Sequence, residues 1–332
     1  MLNVKDQGTT DGAAHQPHEL GPDRGAPADP GPLARRRVRR AARAAGPELR
    51  TPDLPYTGGT VAVPGGSIHV RQIGSGPTLL FVHGLLVDGR VWDPLVAELS
   101  ADYRCVVPDL PLGSHRTPMD ADADQSPEGI AALLEALTIA LELTDVTIVA
   151  SDSGGAITQL WMDAGQSRVS RVVLTPCDCF SHFFPPGFRP YQWLAKTPAL
   201  AGPVMALSRF RAVRHLPTVY GGLTHRAIDD ALLQSWLAPS GADRRVFRDT
   251  VKFLAAVSSK RLIAAEERLS TYDRPVLMPW APEQAWFPAR HARQLAEIMP
   301  DARVVHIAGT GAFISLEQPA ALAAAIREFA TA

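Results

Sequence analysis

The residues of this chain best suited to chemistry lie in the stretch Val149–Ala156, "VASDSGGA". Asp152 and Ser153 follow a buried-type apolar run and precede a helical pattern, which is the setting of a nucleophile elbow, a sharp strand-to-helix turn. Gly154 and Gly155 supply the small neighbours that such a turn needs. Two registers satisfy this rule: Asp152 at the tip, with the Ser153 amide helping to hold an oxyanion, or Ser153 itself at the tip. The simpler alternative for Asp152 is a carboxylate favoured by the free amides of a helix start.

Strand-type and helix-type segments alternate around this turn. Short β-rich runs such as "PTLLFVHG", "RCVVPD", "DVTIVAS", "RVVLT" and "PVLMPW" are separated by helical patterns, and "SPEGIAALLEALTIALEL" carries Ser126 as a cap with Pro127 in its first turn. This alternation predicts an α/β fold with a mostly parallel sheet covered on both faces. The elbow is then placed at the carboxyl edge of the sheet.

Residue composition along the chain divides it into three predicted regions. Residues 1–55 are rich in Ala, Pro, Gly and Arg and predict a disordered basic extension, whose six arginines between Leu33 and Ala44 bind an acidic partner or simply face solvent. Residues 56–179 and 261–332 form the predicted core. Residues 180–260 are too long and too aromatic for a loop, so we predict a helical cap over the sheet edge.

Composition and charge limit the kinds of binding partner that we expect. The 332 residues are 46% hydrophobic and 20% charged, with a net charge of −1, which suits a small-molecule substrate better than nucleic acid or a membrane. Three cysteines without paired spacing, and no secretory or membrane-spanning segment, predict a cytoplasmic protein with reduced thiols. No phosphate loop, dinucleotide fingerprint or metal-ligand cluster is evident, so we expect no cofactor and no metal. The oligomeric state stays open.

From Gly58 onward the chain resembles the α/β-hydrolase family. The strand end "FVHG", the loop "PDLPLGSHR", the elbow and the closing "FISLEQP" fall in the family's order. The resemblance implies an enzyme with an eight-stranded, mostly parallel sheet and an inserted helical cap. "SDSGGA" is similar to the elbow of haloalkane dehalogenases and epoxide hydrolases, in which Asp attacks carbon, and therefore favours Asp152 as nucleophile. The resemblance also implies an oxyanion hole formed by the backbone amides of Leu85 and Ser153.

The chain departs from that family at the remaining catalytic positions. Leu85 and Ser153 stand where dehalogenases hold halide with Asn and Trp, and "HGLL" lacks the proline typical of epoxide hydrolases. Gln284 stands where the family usually has its acid. Asp178, in "PCDCF", stands where some dehalogenases keep theirs, although a loop-capping carboxylate explains it equally well. Ala312 stands where the family has its histidine.

The missing histidine separates three hypotheses about function. Without a base to deprotonate water, an ester on Asp152 would persist, which favours non-hydrolytic chemistry such as proton transfer, ring opening, elimination or cyclisation on a small apolar molecule. The second hypothesis is a hydrolase of an epoxide, ester or carbon–halogen bond in which His115 or His182 replaces the base, or in which position 312 has been changed from His. The third is a small-ligand binding protein on the same fold.

Overall fold

The sheet has eight strands, as predicted, in a computed structural model that describes residues 46–165 and 167–330. The strand order is β1-β2-β4-β3-β5-β6-β7-β8, with β1 and β2 antiparallel to their neighbours and the others parallel. The strands are β1 (Thr57–Val63), β2 (Gly66–Ile73), β3 (Thr78–Val82), β4 (Arg104–Pro108), β5 (Val146–Asp152), β6 (Val169–Cys177), β7 (Val276–Trp280) and β8 (Ala302–His306).

Apolar sequence explains why the central strands form. The strands β3, β5, β6 and β7 are buried along most of their length, as expected for a parallel sheet covered on both faces. Helix α2 starts where the sequence predicts, because the Ser126 hydroxyl accepts a hydrogen bond from the Gly129 amide at 3.0 Å. The core helices are α1 (Asp93–Leu99), α2 (Pro127–Ala140), α3 (Ser153–Ala164), α10 (Ala289–Ile298), α11 (Ile314–Glu317) and α12 (Pro319–Ala330).

A helical segment is inserted between β6 and β7. Its helices are α4 (Arg189–Ala195), α5 (Pro198–Ala206), α6 (Arg211–Arg214), α7 (Asp230–Ala242), α8 (Arg244–Ala256) and α9 (Ser259–Arg268). The last of these crosses the predicted boundary at residue 260 and packs against α3 of the core. Within the described ranges no helix combines the length and hydropathy needed to cross a membrane.

Residues 46–55 differ from the predicted extension. Leu49 is buried, and its backbone amide donates to the Ala227 carbonyl at 2.7 Å while its carbonyl accepts from the Asp229 amide at 2.9 Å. A leucine side chain that packs this well contributes to stability by leaving water. The packed part of the chain therefore begins before residue 55, whereas the arginine-rich stretch before residue 46 lies outside the described residues.

Candidate active site

Asp152 occupies the tip of the strand-to-helix turn. It is the last residue of β5, its backbone has φ 57° and ψ −138°, and α3 begins at Ser153. A positive φ is uncommon for a residue with a side chain and is found where the surroundings enforce it. Of the two registers that the sequence left open, the structure has the one with Asp152 at the centre.

Close backbone approaches explain the glycines around the turn. A Cβ atom added at Gly154 would lie 2.4 Å from the His83 carbonyl oxygen, and one at Gly155 would lie 2.3 Å from Cys177 Cβ. One added at Gly84 would lie 2.5 Å from Asp152 Cβ. Any side chain at these positions would push the turn out of place, so the small residues set the position of Asp152.

The two amides predicted to form the oxyanion hole have different partners. The Ser153 amide donates to Asp152 Oδ1 at 2.5 Å. The Leu85 amide instead donates to the hydroxyl of Ser153 at 2.8 Å; Ser153 is fully buried and does not line the cavity described below, whereas Leu85 does. The sequence offers Ser153 as a tip nucleophile or as a backbone donor, and it does not predict this contact, which joins residues 68 positions apart.

Asp152 borders a large apolar cavity between core and cap. Its volume is about 310 Å³, and Asp152 is the one carboxyl among its lining residues, which include no lysine, arginine, cysteine or histidine. Burial raises the pKa of Asp152 to about 6. Hydrogen bonds from the amide and hydroxyl of Ser153 lower this pKa and so offset part of the rise. Near neutral pH this side chain therefore exchanges between acid and carboxylate, which suits proton transfer.

Tyr220 contributes a phenol to the same wall. Its hydroxyl donates to the Leu86 carbonyl, and burial followed by the charge of Asp152 raises its pKa. The phenol therefore stays protonated at neutral pH. The sequence marked Tyr220 only as one of several cap aromatics, because nothing local indicates that it approaches the elbow.

Asp178 lies next to the elbow, buried beneath it. Its amide donates to the Asp152 carbonyl at 3.3 Å, and its side chain is fully buried, with both carboxyl oxygens lacking a hydrogen-bond partner among the described residues. Burial raises the pKa of Asp178 well above its usual value, and the charge of Asp152 raises it further. The loop-capping interpretation is not supported, since no backbone amide reaches the carboxyl.

Ala312 and Gln284 lie together, although they are 28 positions apart in the chain. The Ala312 amide donates to the Leu223 carbonyl at 2.6 Å, and Gln284 Nε2 donates to the same oxygen at 3.4 Å. Leu223 belongs to the inserted segment and lines the cavity. The inserted segment therefore contacts both positions where the resemblance places a histidine and an acid.

Neither His115 nor His182 lines the cavity. His115 is buried, with its Nε2 atom 3.4 Å from Asp249 Oδ2 and its Nδ1 atom accepting from the Gly113 amide at 3.2 Å. The ring of His182 lies edge-on to that of His291, with centroids 4.5 Å apart. The structure thus gives both predicted substitute bases other neighbours than Asp152.

His83 holds the loop after β3. Its Nδ1 atom lies 2.8 Å from the Gly84 carbonyl oxygen, and its Nε2 atom accepts from the Leu110 amide at 2.8 Å. Burial lowers its pKa, so the ring stays neutral. It therefore ties two loops together and has no free nitrogen for catalysis.

Asp178→Asn is expected to stabilise the protein at high pH. Since the folded-state pKa of Asp178 lies above its unfolded value, the folded state binds more protons and stability falls as pH rises through that window. Asparagine has no charge to bury, so its melting temperature should exceed that of the parent by roughly 2–6 °C at pH 8 and differ little at pH 4.5. Scanning calorimetry at both pH values checks this.

Asp249→Asn is the matched control for that measurement. Burial by itself would raise the pKa of Asp249, but hydrogen bonds from His115, Arg248 and the Met119 amide hold it below its usual value. The carboxylate is therefore stabilising above pH 4, and this variant should melt lower than the parent at pH 8. An Asp178→Asn protein that also melted lower at pH 8 would contradict an unpaired buried charge.

Comparison with known proteins supports the fold and identifies the family. Residues 79–325 match the description "Alpha/beta hydrolase family", and the chain belongs to that family. An uncharacterised protein of Mycobacterium tuberculosis is 25% identical over 75% of this chain and 74% of its own. A pimeloyl-[acyl-carrier protein] methyl ester esterase of Aeromonas hydrophila is 27% identical over 64% and 78%. The structure of haloalkane dehalogenase DbeA from Bradyrhizobium elkani has a TM-score of 0.70 at 19% identity, covering 83% of this chain and 98% of that one.

Proposed function

We propose that this α/β-hydrolase-fold enzyme transfers a proton to or from a small apolar molecule by means of Asp152, without a hydrolytic step. One observation carries the proposal: the cavity that contains the Asp152 carboxyl is lined mostly by apolar side chains and by no imidazole. Once Asp152 is esterified, water in that cavity has no base to deprotonate it, whereas the free carboxyl, with a pKa of about 6, is itself a usable acid and base for proton transfer.

The arrangement of donors fits an oxyanion next to the carboxyl. When Asp152 takes a proton from a carbon beside a carbonyl, negative charge moves to the carbonyl oxygen, which then needs hydrogen-bond donors. Leu85 lines the cavity, and the Ser153 hydroxyl that accepts from its amide keeps its own proton as a donor at the elbow. The proton on Asp152 then returns to the same or a neighbouring carbon, so atoms and charge balance without a water molecule.

Hydrolysis is the second candidate, and two observations favour it. Asp152 has the positive φ of a nucleophile elbow. The buried carboxyl of Asp178 has no hydrogen-bond partner among the described residues, and a cation or an imidazole ring would supply one. The named relative from Aeromonas hydrophila is an esterase, which would make the substrate an ester. A non-catalytic binding protein would need the cavity but not the strained Asp152 backbone, so we place it third.

Solvent deuterium exchange tests the proposal. We expect the protein to exchange the protons beside the carbonyl of apolar ketones such as cyclohexanone or 2-octanone in deuterated water, with a rate that rises as pH passes about 6 and Asp152 ionises. The Asp152→Asn variant, which lacks the general base, should exchange about 10²-fold more slowly than the parent. Nuclear magnetic resonance of the ketone gives the rate directly.

Two further variants make this test specific. His115→Gln and His182→Gln should keep most of the exchange activity, since neither ring lines the cavity. Exchange that survived in Asp152→Asn but vanished in either histidine variant would reject Asp152 as the proton-transferring group.

A further inference from the structure

Exposed apolar side chains are concentrated on one part of the cap. Eight large apolar residues of the described ranges are exposed, and six of them fall between residues 193 and 216. We call these six the cap patch. Its members and their exposed fractions are Trp193 (65%), Leu200 (50%), Val204 (36%), Leu207 (49%), Phe210 (48%) and Leu216 (45%). Single exposed apolar residues are ordinary, but a cluster of this kind marks an interaction site.

The cap patch is continuous with the cavity of Asp152. Val204, Leu207 and Leu216 are exposed to solvent and also line that cavity. Helix α5, which carries Val204, has the apolar sequence "PALAGPVMA", and its residues Leu200 and Val204 are exposed. An apolar molecule entering from this side would therefore pass from one apolar surface to the next.

The segment that carries the cap patch is basic in sequence, although Arg211 pairs with Glu48 and the buried Arg214 pairs with Asp230. Residues 179–228 contain six lysines and arginines and no aspartate or glutamate. Arg189, Lys196 and Arg209 are exposed among them, and the Arg209 guanidinium lies 4.7 Å from the centre of the Phe210 ring. The net charge of −1 for the whole chain hides this local excess, because the acidic residues lie elsewhere in the sequence.

We infer that the cap patch docks on an anionic lipid surface and admits lipophilic substrate from that surface into the cavity. Large apolar side chains, a tryptophan included, with lysine and arginine at their edge form the pattern of a protein face that lies in a membrane interface. Each basic residue near such a surface adds to the attraction. The inference rests on the proposed function only in taking the cavity as the substrate site, and it replaces the sequence-based expectation of no membrane partner.

Other occupants fit the patch less well. A second copy of this chain would bring the same cations face to face, and like charges disfavour such a contact. An acidic protein would satisfy the cations but leave six large apolar side chains against a polar surface. Lipid satisfies both, since headgroups meet the cations and acyl chains meet the apolar groups.

Vesicle flotation tests the inference with the full chain. We expect binding to vesicles of phosphatidylglycerol and phosphatidylcholine, and much weaker binding to phosphatidylcholine alone. The combined variant Trp193→Ser, Leu200→Ser and Phe210→Ser should bind the anionic vesicles at least about 10-fold more weakly, since three large apolar side chains no longer leave water on binding. These three residues do not line the cavity.

The matched control changes exposed apolar residues elsewhere. Ile139→Ser with Val305→Ser removes the other two exposed large apolar side chains and should bind vesicles as the parent does. Equal binding by the patch variant and the parent would overturn the inference. This conclusion would hold even where the arginine-rich extension binds both proteins to the vesicle. So would a patch variant whose molar mass by light scattering fell from dimer to monomer, since the patch would then be an interface between copies.

Failure here is distinguishable from failure of the proposed function. Asp152→Asn should bind vesicles normally while losing deuterium exchange. The patch variant should exchange a water-dissolved ketone at the parent rate. Normal exchange together with absent vesicle binding rejects only the docking surface.

Discussion

Incubation with 1-bromobutane is expected to leave one butyl group on Asp152, and that group is expected to stay. The carboxylate oxygen attacks the carbon, the carbon–bromine bond breaks, and bromide leaves with the bonding electrons. Because burial raises the pKa of Asp152 to about 6, labelling should be slow at pH 5 and reach its maximum above pH 7. Intact-mass spectrometry and peptide mapping report the extent and the site.

Persistence of that ester is the informative part of the result. In a carboxyl-nucleophile hydrolase, water deprotonated by a histidine cleaves the ester, and a general base of this kind contributes about 10²- to 10⁴-fold. The cavity lining has no imidazole, so the label should outlast the free reagent by hours. Continuous bromide release with an unlabelled protein would instead demonstrate complete turnover and a base that has moved.

Controls for the labelling are provided by neighbouring carboxyls and thiols. Asp152→Asn should not be labelled at all. Asp178→Asn should be labelled as the parent is, since the Asp178 carboxyl does not line the cavity. Labelling at Cys177 or Cys179, which are buried beneath the elbow, would show that the reagent reaches the core and would remove support from Asp152.

Introducing histidine at position 312 is expected to release the butyl group. The resemblance places the family's base there, and Asp178 supplies a buried carboxyl without a partner that can orient the ring. Ala312 is fully buried with its amide 2.6 Å from the Leu223 carbonyl, so the ring needs space. We therefore expect Ala312→His combined with Leu223→Ala to release the label about 10²- to 10⁴-fold faster than the parent.

Comparison of companion variants isolates the imidazole. Ala312→Gln with Leu223→Ala introduces similar bulk without a base and should release the label as slowly as the parent. Adding Asp178→Asn to the histidine variant should remove most of the gain, because the ring loses its orienting carboxylate. A histidine variant that folds, labels and still retains the butyl group would show that position 312 does not face the ester.

The fold could be predicted because its evidence is local. Apolar runs at β3, β5, β6 and β7, separated by helical patterns, predicted a mostly parallel sheet, and the structure and family membership confirm the α/β-hydrolase fold. Boundaries were less predictable. Leu49 packs although it stands in a polar, proline-rich stretch, since its partners near residue 228 lie far along the chain.

The candidate site, like the fold, could be predicted only in the parts that depend on neighbouring residues. Paired glycines narrowed the elbow to two registers, and the resemblance then pointed to Asp152. Sequence did not predict two sets of hydrogen bonds. The Ser153 hydroxyl accepts from the Leu85 amide, and the Leu223 carbonyl accepts from Ala312 and Gln284. These contacts join residues 61 to 89 positions apart, and their geometry depends on how the cap settles on the core.

The sequence by itself determined the sheet, the two candidate registers of the turn and the alanine at position 312, because strand patterns, close-packed glycines and residue identity are properties of neighbouring residues. Only the tertiary structure decided which atoms share the cavity with that carboxyl. Burial raises the pKa of Asp152, His115 and His182 have other partners, and six large apolar side chains are exposed in the inserted segment, three of which also line the cavity. Desolvation and proximity arise from long-range packing, for which the sequence carries no local signal.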